Sequence, residues 1–383
     1  MYTLPAYGAM IRDQVRINAF TRALREVVRP GAVVVDIGTG PGIMAVLACQ
    51  LGASRVFAIE PDEVIQVARE VAASNGYADK IEFFENLSTR VELPVRADVI
   101  VSDMRGVLPL LGHHIPAIAD ARTRFLAPGG ALIARKDTIW AAPVEAPESF
   151  AKLVDPWDRN TLGQDLSPAR LRTVGLRRGV HFTAGQLLAP PQLWATLDYA
   201  TVENPDVRNK LQWTIERDGE GHGVLLWFEM DLADGISFST APGAHADSVY
   251  GSMFLPWTSP ISVTAGQSVF ADLGAKLLEN EYFWRWTTQI LSPEIPNKLL
   301  AEFDQSDLDC IVVSPAKLGK AASAYVPKLS DEARLHLRTL ELMDGKVSLE
   351  QIARKLIAEF PQRFPGSQQA LSYAATVSQS YSE

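Results

Sequence analysis

Residues 33–45, Val-Val-Val-Asp-Ile-Gly-Thr-Gly-Pro-Gly-Ile-Met-Ala, constrain the fold more than any other stretch of the chain. Three β-branched residues run into Asp36, glycines follow at 38, 40 and 42, and an apolar run extends from Ile43 to Leu51. Strand, tight glycine turn and helix in that order predict the first unit of a doubly wound α/β domain. Glycine suits the turn because the backbone must bend sharply and let a ligand approach without a Cβ in the way. The D-x-G-x-G-x-G spacing differs from the dinucleotide fingerprint G-x-G-x-x-G, which argues against a nicotinamide cofactor.

The next predicted strand, Arg55 to Glu60, ends in a carboxylate about 20 residues beyond the loop, where an acid can accept hydrogen bonds from both ribose hydroxyls of an adenosine. Loop plus acid resembles the cofactor site of class I S-adenosylmethionine (SAM) methyltransferases. The resemblance implies SAM as cofactor, held by Gly38, Gly40 and Glu60, with Asp36 shaping the loop.

A chain of 383 residues can hold two or three domains with sizeable cores. Its net charge of −9 argues against a sequence-independent grip on nucleic acid. No apolar run reaches the roughly 18 residues of a membrane span. The N-terminus lacks the basic region and apolar core of a signal peptide. The 2 cysteines, Cys49 and Cys310, make neither a disulfide framework nor a zinc site, so a cytoplasmic, metal-free protein is expected.

Taken in order, the chain resembles the protein arginine methyltransferases over roughly residues 7 to 313. Helical spacing over 7–29 places Met10-Ile-Arg-Asp-Gln-Val-Arg16 where that family has its entry segment, and implies that Arg16 binds the SAM carboxylate. Residues 86–94 match the loop under the adenine, with Ser88 and Thr89 at the contact positions; the family usually has glutamate where Thr89 stands. Leu126-Ala-Pro-Gly-Gly is typical punctuation before the next strand, Ala131-Leu-Ile-Ala. From 145 onward, strands follow without intervening helices at 193–201, 211–216, 223–232, 235–239, 260–270 and 281–290, predicting a barrel or sandwich; the order and spacing of 223–232, 238–242 and 269–270 resemble the family's β-barrel. Between the cofactor domain and these strands, Trp157 to Pro168 resembles the family's dimerisation arm, placed at about 155–180, and implies a homodimer. The domains are thus expected at 1–144, 145–320 and 321–383. The last is a small helical unit whose segment Leu340 to Ala353 resembles winged-helix modules that bind leader peptides.

The resemblance fails where acceptor chemistry is decided. The family surrounds a guanidinium with two glutamates, because a cation needs paired carboxylates to bind and orient it. The first position here is Asp103, followed by Met104 and Arg105, and the second is Gly112. Asp103 is expected to orient the acceptor, with His113 or His114 as proton acceptor. Arg105 and Tyr250 are expected to contact a small-molecule or peptide substrate, Tyr250 lying where the family has its Thr-His-Trp loop. The reading is a SAM-dependent methyltransferase acting on a non-arginine amine, hydroxyl or carboxylate. Two alternatives stay open: an arginine methyltransferase whose second acid comes from Glu145 or a partner subunit, and a non-catalytic SAM-binding protein that recruits a peptide.

Overall fold

The computed structural model describes residues 2–159, 163–244, 248–295 and 298–382, which divide into two compact units, 1–311 and 312–383. The first unit opens with α1 (Leu4–Arg12) and α2 (Gln14–Val27). Asp13 separates them, and its side chain caps α2 by accepting from the Arg16 amide at 3.0 Å. The apolar face of α2 buries Ala19, Phe20, Ala23 and Leu24.

Next come β1 (Val33–Ile37), α3 (Ile43–Gln50), β2 (Arg55–Ile59), α4 (Ile65–Ser74), β3 (Ile81–Phe84), β4 (Ala97–Ser102), α5 (His114–Arg124) and β5 (Leu126–Ile133). The strands form a parallel sheet in the order β3-β2-β1-β4-β5. Helices cover a sheet of this type on both faces, so Val34, Val35 and Ile37 are all buried rather than alternating. The order reverses between β1 and β4, and a doubly wound sheet binds ligands in the crevice beyond the carboxyl ends of those strands.

The antiparallel part contains β6 (Lys136–Val144), α6 (Pro147–Asp158), α7 (Ser167–Val174), β7 (Arg178–Val180), β8 (Gln192–Asp198), β9 (Val207–Thr214), β10 (Gly219–Ala233), β11 (Ile236–Ser239), β12 (Ser252–Val263), β13 (Ser268–Leu278), β14 (Glu281–Leu291) and β15 (Leu299–Ser306). One sheet runs β7-β12-β10-β6-β8 with β11 on β10, and another runs β15-β14-β13-β9. Inward residues on β14 are Tyr282, Trp284 and Trp286, the face that alternation in the sequence selects. Trp284 stacks on Trp194 at 5.3 Å, and Trp257 on Phe303 at 5.2 Å. Full burial of a large apolar side chain contributes about 1.5–3 kcal/mol, so these aromatics anchor the barrel. Its core is continuous with that of the parallel sheet.

Three expected boundaries move. Lys136 to Val144 pairs with β10 and β8, so the barrel begins inside the segment assigned to the first domain. The expected turn at Ala127-Pro-Gly-Gly is a bulge within β5, where the pairing shifts between Ala97 and Val99. The run 260–270 spans the end of β12 and the start of β13, joined through Gly266 at φ 89°. Of the expected dimer arm, residues 160–162 lie outside the described residues; α6 and α7 flank them and pack through Phe150, Val154 and Val174.

The second unit begins at 312 rather than 321 and contains α8 (Pro315–Ala321), α9 (Asp331–Leu342), α10 (Leu349–Glu359) and α11 (Ser367–Tyr381). Its own core gathers Leu335, Leu342, Ile352, Leu356, Phe364 and Ala374. Ser348 and Gln351 form the capping box that opens α10. No strand occurs among its described residues, so the helical part of the winged-helix expectation is present and a wing is not.

Candidate active site

The carboxyl ends of β1 and β4 open onto a cavity of about 770 Å³, the size of a small-ligand site. The side expected to take the cofactor is built from backbone. Gly38 and Gly40 have φ of 72° and 51°, and a Cβ on Gly40 would stand 2.7 Å from the Tyr7 ring, so the loop tolerates only glycine there. Asp36 lies beneath, accepting from Thr39 Oγ1 at 2.6 Å. Burial pushes its carboxyl up to about 7. Glu60 accepts from the Gly40 amide at 3.0 Å and the Asp62 amide at 3.1 Å, which locks the loop to the end of β2. Its pKa is raised, chiefly by burial, against those two amides. Ser88 and Thr89 line the same wall from a short helical turn.

On the acceptor side, side chains replace backbone. Arg16 Nε donates to Asp103 Oδ2 at 2.6 Å and to Tyr250 Oη at 3.3 Å, and its Nη1 to the Met10 carbonyl at 3.3 Å. The Tyr250 hydroxyl donates to both oxygens of Asp103, at 2.6 and 2.5 Å. Burial and the Asp103 charge hold the Tyr250 phenol well above its usual pKa, so it stays protonated. Burial works against the Arg16 charge, but Asp103 and Tyr250 outweigh it and raise its pKa.

Two residue roles read from sequence are corrected here. Arg105 is turned inward at the cleft wall: its side chain is 1% exposed, Nε donates to the fully buried Asp137 at 2.7 Å, and Nη1 donates to the Ser102 carbonyl and lies 3.7 Å from Asp103 Oδ1. A guanidinium in the loop after β4 finds its partner at the start of β6, where burial without a carboxylate would be prohibitive. His114 is buried in the same network. Tyr199 Oη donates to Asp137 at 2.5 Å, so the contact of 2.9 Å from His114 Nε2 to Tyr199 makes Nε2 the donor. Burial, then Arg105, lowers the His114 pKa well below its ordinary value, which suits a structural imidazole rather than a proton acceptor.

His113 is exposed at the cleft rim, next to Gly112 and Asn280. Gly112 has φ 46°, a left-handed conformation, and its missing Cβ would face Asn280 Oδ1 at 3.5 Å. The loop is therefore shaped around glycine where the resemblance would require a second carboxylate. Glu145 does not substitute: it accepts from Arg217 at 2.6 Å and from the Glu220 amide, away from the cleft wall. Sequence reading missed Asp13, whose Oδ2 accepts from Ser248 Oγ at 3.1 Å and from the Val249 amide at 3.0 Å. Asp137 was missed as well; a buried acid in an apolar strand, Asp137 in Lys-Asp-Thr-Ile-Trp, is the signal that could have found it.

The donor set fits SAM. A glycine loop that excludes side chains, a carboxylate at the end of β2 and a guanidinium lining the same cleft match a ribose and an amino-acid carboxylate. Together the parallel sheet, barrel and cleft define a class I methyltransferase scaffold. A family model described as ribosomal protein L11 methyltransferase matches residues 19–137, and one described as arginine methyltransferase oligomerization subdomain matches 135–277. The probable protein arginine N-methyltransferase 6 of Arabidopsis thaliana is 28% identical over 233 residues, 58% of this chain and 53% of that protein. The probable histone-arginine methyltransferase 1.4 of the same plant is 30% identical over 280 residues, 68% of this chain and 52% of that protein. The chain thus spans about half the length of these curated relatives. In fold it is similar to protein arginine methyltransferase 10 of Arabidopsis thaliana, with a TM-score of 0.69, 20% identity and coverage of 80% and 98% of the two chains. It is also similar to a Trypanosoma brucei PRMT1 enzyme–prozyme heterotetrameric complex with AdoHcy, with a TM-score of 0.70, 18% identity and coverage of 78% and 96%. By sequence and architecture it has the scaffold of the protein arginine methyltransferases.

Proposed function

We propose that the protein transfers the methyl group of SAM to an acceptor other than a guanidinium, on a polypeptide or small molecule. One observation carries the acceptor assignment. The carboxylate of Asp103 is already engaged by Arg16 and Tyr250, and a glycine in a left-handed turn occupies the position of the second acid. A guanidinium entering here would find no uncompensated negative charge, and that is the attraction on which cation binding depends.

Gly38, Gly40 and Glu60 hold the adenosine end of the cofactor in this reading, Ser88 and Thr89 its base, and Arg16 its carboxylate. Bound SAM supplies an electrophilic methyl: the acceptor's lone pair forms the new bond to carbon, and the carbon–sulfur pair stays on sulfur. The protein holds the acceptor in line and excludes water, effects that together lower the barrier by several kcal/mol. The match to an oligomerization subdomain supports a dimer formed through the region around α6 and α7.

A second reading, arginine N-methylation, is favoured by the names of the relatives. Methyl-labelled SAM decides between them. The full chain is incubated with the small-molecule and polypeptide fractions of its source cell, with free arginine and an arginine-rich peptide in parallel, and label is located by mass spectrometry. Label on a hydroxyl, amine, imidazole or carboxylate is expected; label on guanidinium would establish the second reading. Cofactor binding without label anywhere would leave a non-catalytic recruiting protein.

A further inference from the structure

The hydroxyl of Tyr250 forms a bifurcated bond to both oxygens of Asp103 while also accepting from Arg16. This arrangement has more than an orienting role to offer. Tyr250 lines the cleft, its ring fixed by edge contacts to Phe228 at 5.6 Å and by Phe238 at 5.7 Å, so its oxygen is held in one place. Met104, Val107, Leu111, Val249 and Asn280 line the same cleft, and the one carboxylate beside Tyr250, Asp103, is met by Arg16 at 2.6 Å and by Arg105 at 3.7 Å.

We propose that Tyr250 is a catalytic residue, the first carrier of a proton relay that ends on Asp103, and that the acceptor is a neutral O–H or N–H group. The inference rests on the methyl-transfer reading above. The acceptor hydrogen-bonds through its own hydrogen to Tyr250 Oη. As its lone pair forms the bond to methyl carbon, its proton passes to Oη, and the phenolic proton passes along the existing hydrogen bond to a carboxylate oxygen of Asp103. Tyr250 begins and ends as a neutral phenol; Asp103 ends as a carboxylic acid and returns its proton to solvent before the next cycle. No oxidant or further reactant is needed. Arg16 donates to the same two groups and steadies the negative charge shared between them.

This geometry separates the acceptor from a guanidinium on chemical grounds. A cationic acceptor would bring a positive charge against Arg16, whose charge is already in place. A neutral group with a weakly acidic hydrogen meets a partner that accepts hydrogen bonds and a carboxylate one bond further on. His113, exposed at the rim, is not required for proton transfer.

The test pairs Tyr250→Phe with wild type and begins without any acceptor. In wild type, the shared Tyr250 proton should give a proton NMR resonance well downfield of the amides, lost in both Tyr250→Phe and Asp103→Asn. SAM affinity, measured calorimetrically, should change less than about threefold in Tyr250→Phe. With the acceptor that takes label in the extract assay, kcat should fall about 100-fold, the scale of a lost general base, with KM little altered. The solvent deuterium isotope effect on kcat should shrink at the same time. A Tyr250→Phe enzyme with unchanged kcat, or one altered in KM alone, overturns the relay while leaving methyl transfer standing. Label confined to guanidinium also overturns it. Absence of transfer by wild type to any fraction overturns the methyl-transfer reading and the relay with it.

Discussion

The two halves of the cleft are made by different means. On the cofactor side, backbone amides, glycine dihedrals and one carboxylate only 20 residues from its partner define the surface. On the acceptor side, Asp103 meets Arg16 across 87 residues and Tyr250 across 147, with a buried Arg105–Asp137 pair behind them. Backbone sites depend on local spacing and resist change; side-chain sites depend on the whole fold and can be rebuilt one residue at a time. The cofactor half therefore keeps the glycine loop and acid of the resemblance and departs from it at Thr89 alone, whereas the acceptor half departs from it at Asp103 and Gly112.

The largest expected effect tests the support behind the acceptor half. Asp137→Ala leaves the buried Arg105 with only its longer contact to Asp103, at 3.7 Å, and should cost about 3 kcal/mol of stability in urea unfolding. Asp137→Ala unfolding no more easily than wild type would break the claim that this pair organises the wall. Asp36 probes the cofactor half by pH. Its folded pKa, about 7, stands above the ordinary 3.8, so its protonated form stabilises the fold fully below pH 4. That contribution is lost as pH rises toward 7. Asp36→Asn should therefore gain on wild type over that interval, measured as the difference in unfolding midpoints; a constant difference would remove the argument from burial.

Glu60→Ala should weaken SAM binding about 100-fold in calorimetry, as expected for two charge-assisted hydrogen bonds to a ribose. Arg16→Ala should weaken SAM about tenfold and leave methylthioadenosine, which has no amino-acid carboxylate, unaffected. Equal losses for both ligands would show that Arg16 acts by supporting the loop after β4 and not by binding the carboxylate. The smallest effect concerns the glycine turn: Gly112→Glu should lower stability by about 1–2 kcal/mol, the cost of a left-handed side-chain residue, without conferring arginine methylation. Arginine turnover by that variant would mean the second carboxylate was all that separated this site from the family's.

Legibility in the sequence followed the same division. The turn that joins Gly38, Gly40, Asp36 and Glu60 could be read because strand, turn and helix are spaced locally, and the β14 alternation could be read because a pleat has period two. Asp13 and Asp137 could not: their partners stand 235 and 32 residues away, and only the closed barrel brings them together. Arg105 was misread because loop position says nothing about which way a long side chain turns. The same holds for His114, one residue from exposed His113 but inside the helix that buries it. Lys136 to Val144 was assigned to the wrong layer because nothing in an apolar run records which sheet it joins.

Asp13 carries one further consequence. One of its oxygens caps α2 and the other holds residues 248 and 249, immediately before Tyr250. A single carboxylate thus works as a logical conjunction. In the proposed reading, the helix that would bring Arg16 to the cofactor and the loop that would bring Tyr250 to the acceptor are tied through that one side chain. A displaced α2 loses its cap and releases the acceptor wall in the same event, so a half-assembled cleft has no acceptor wall with which to choose a substrate.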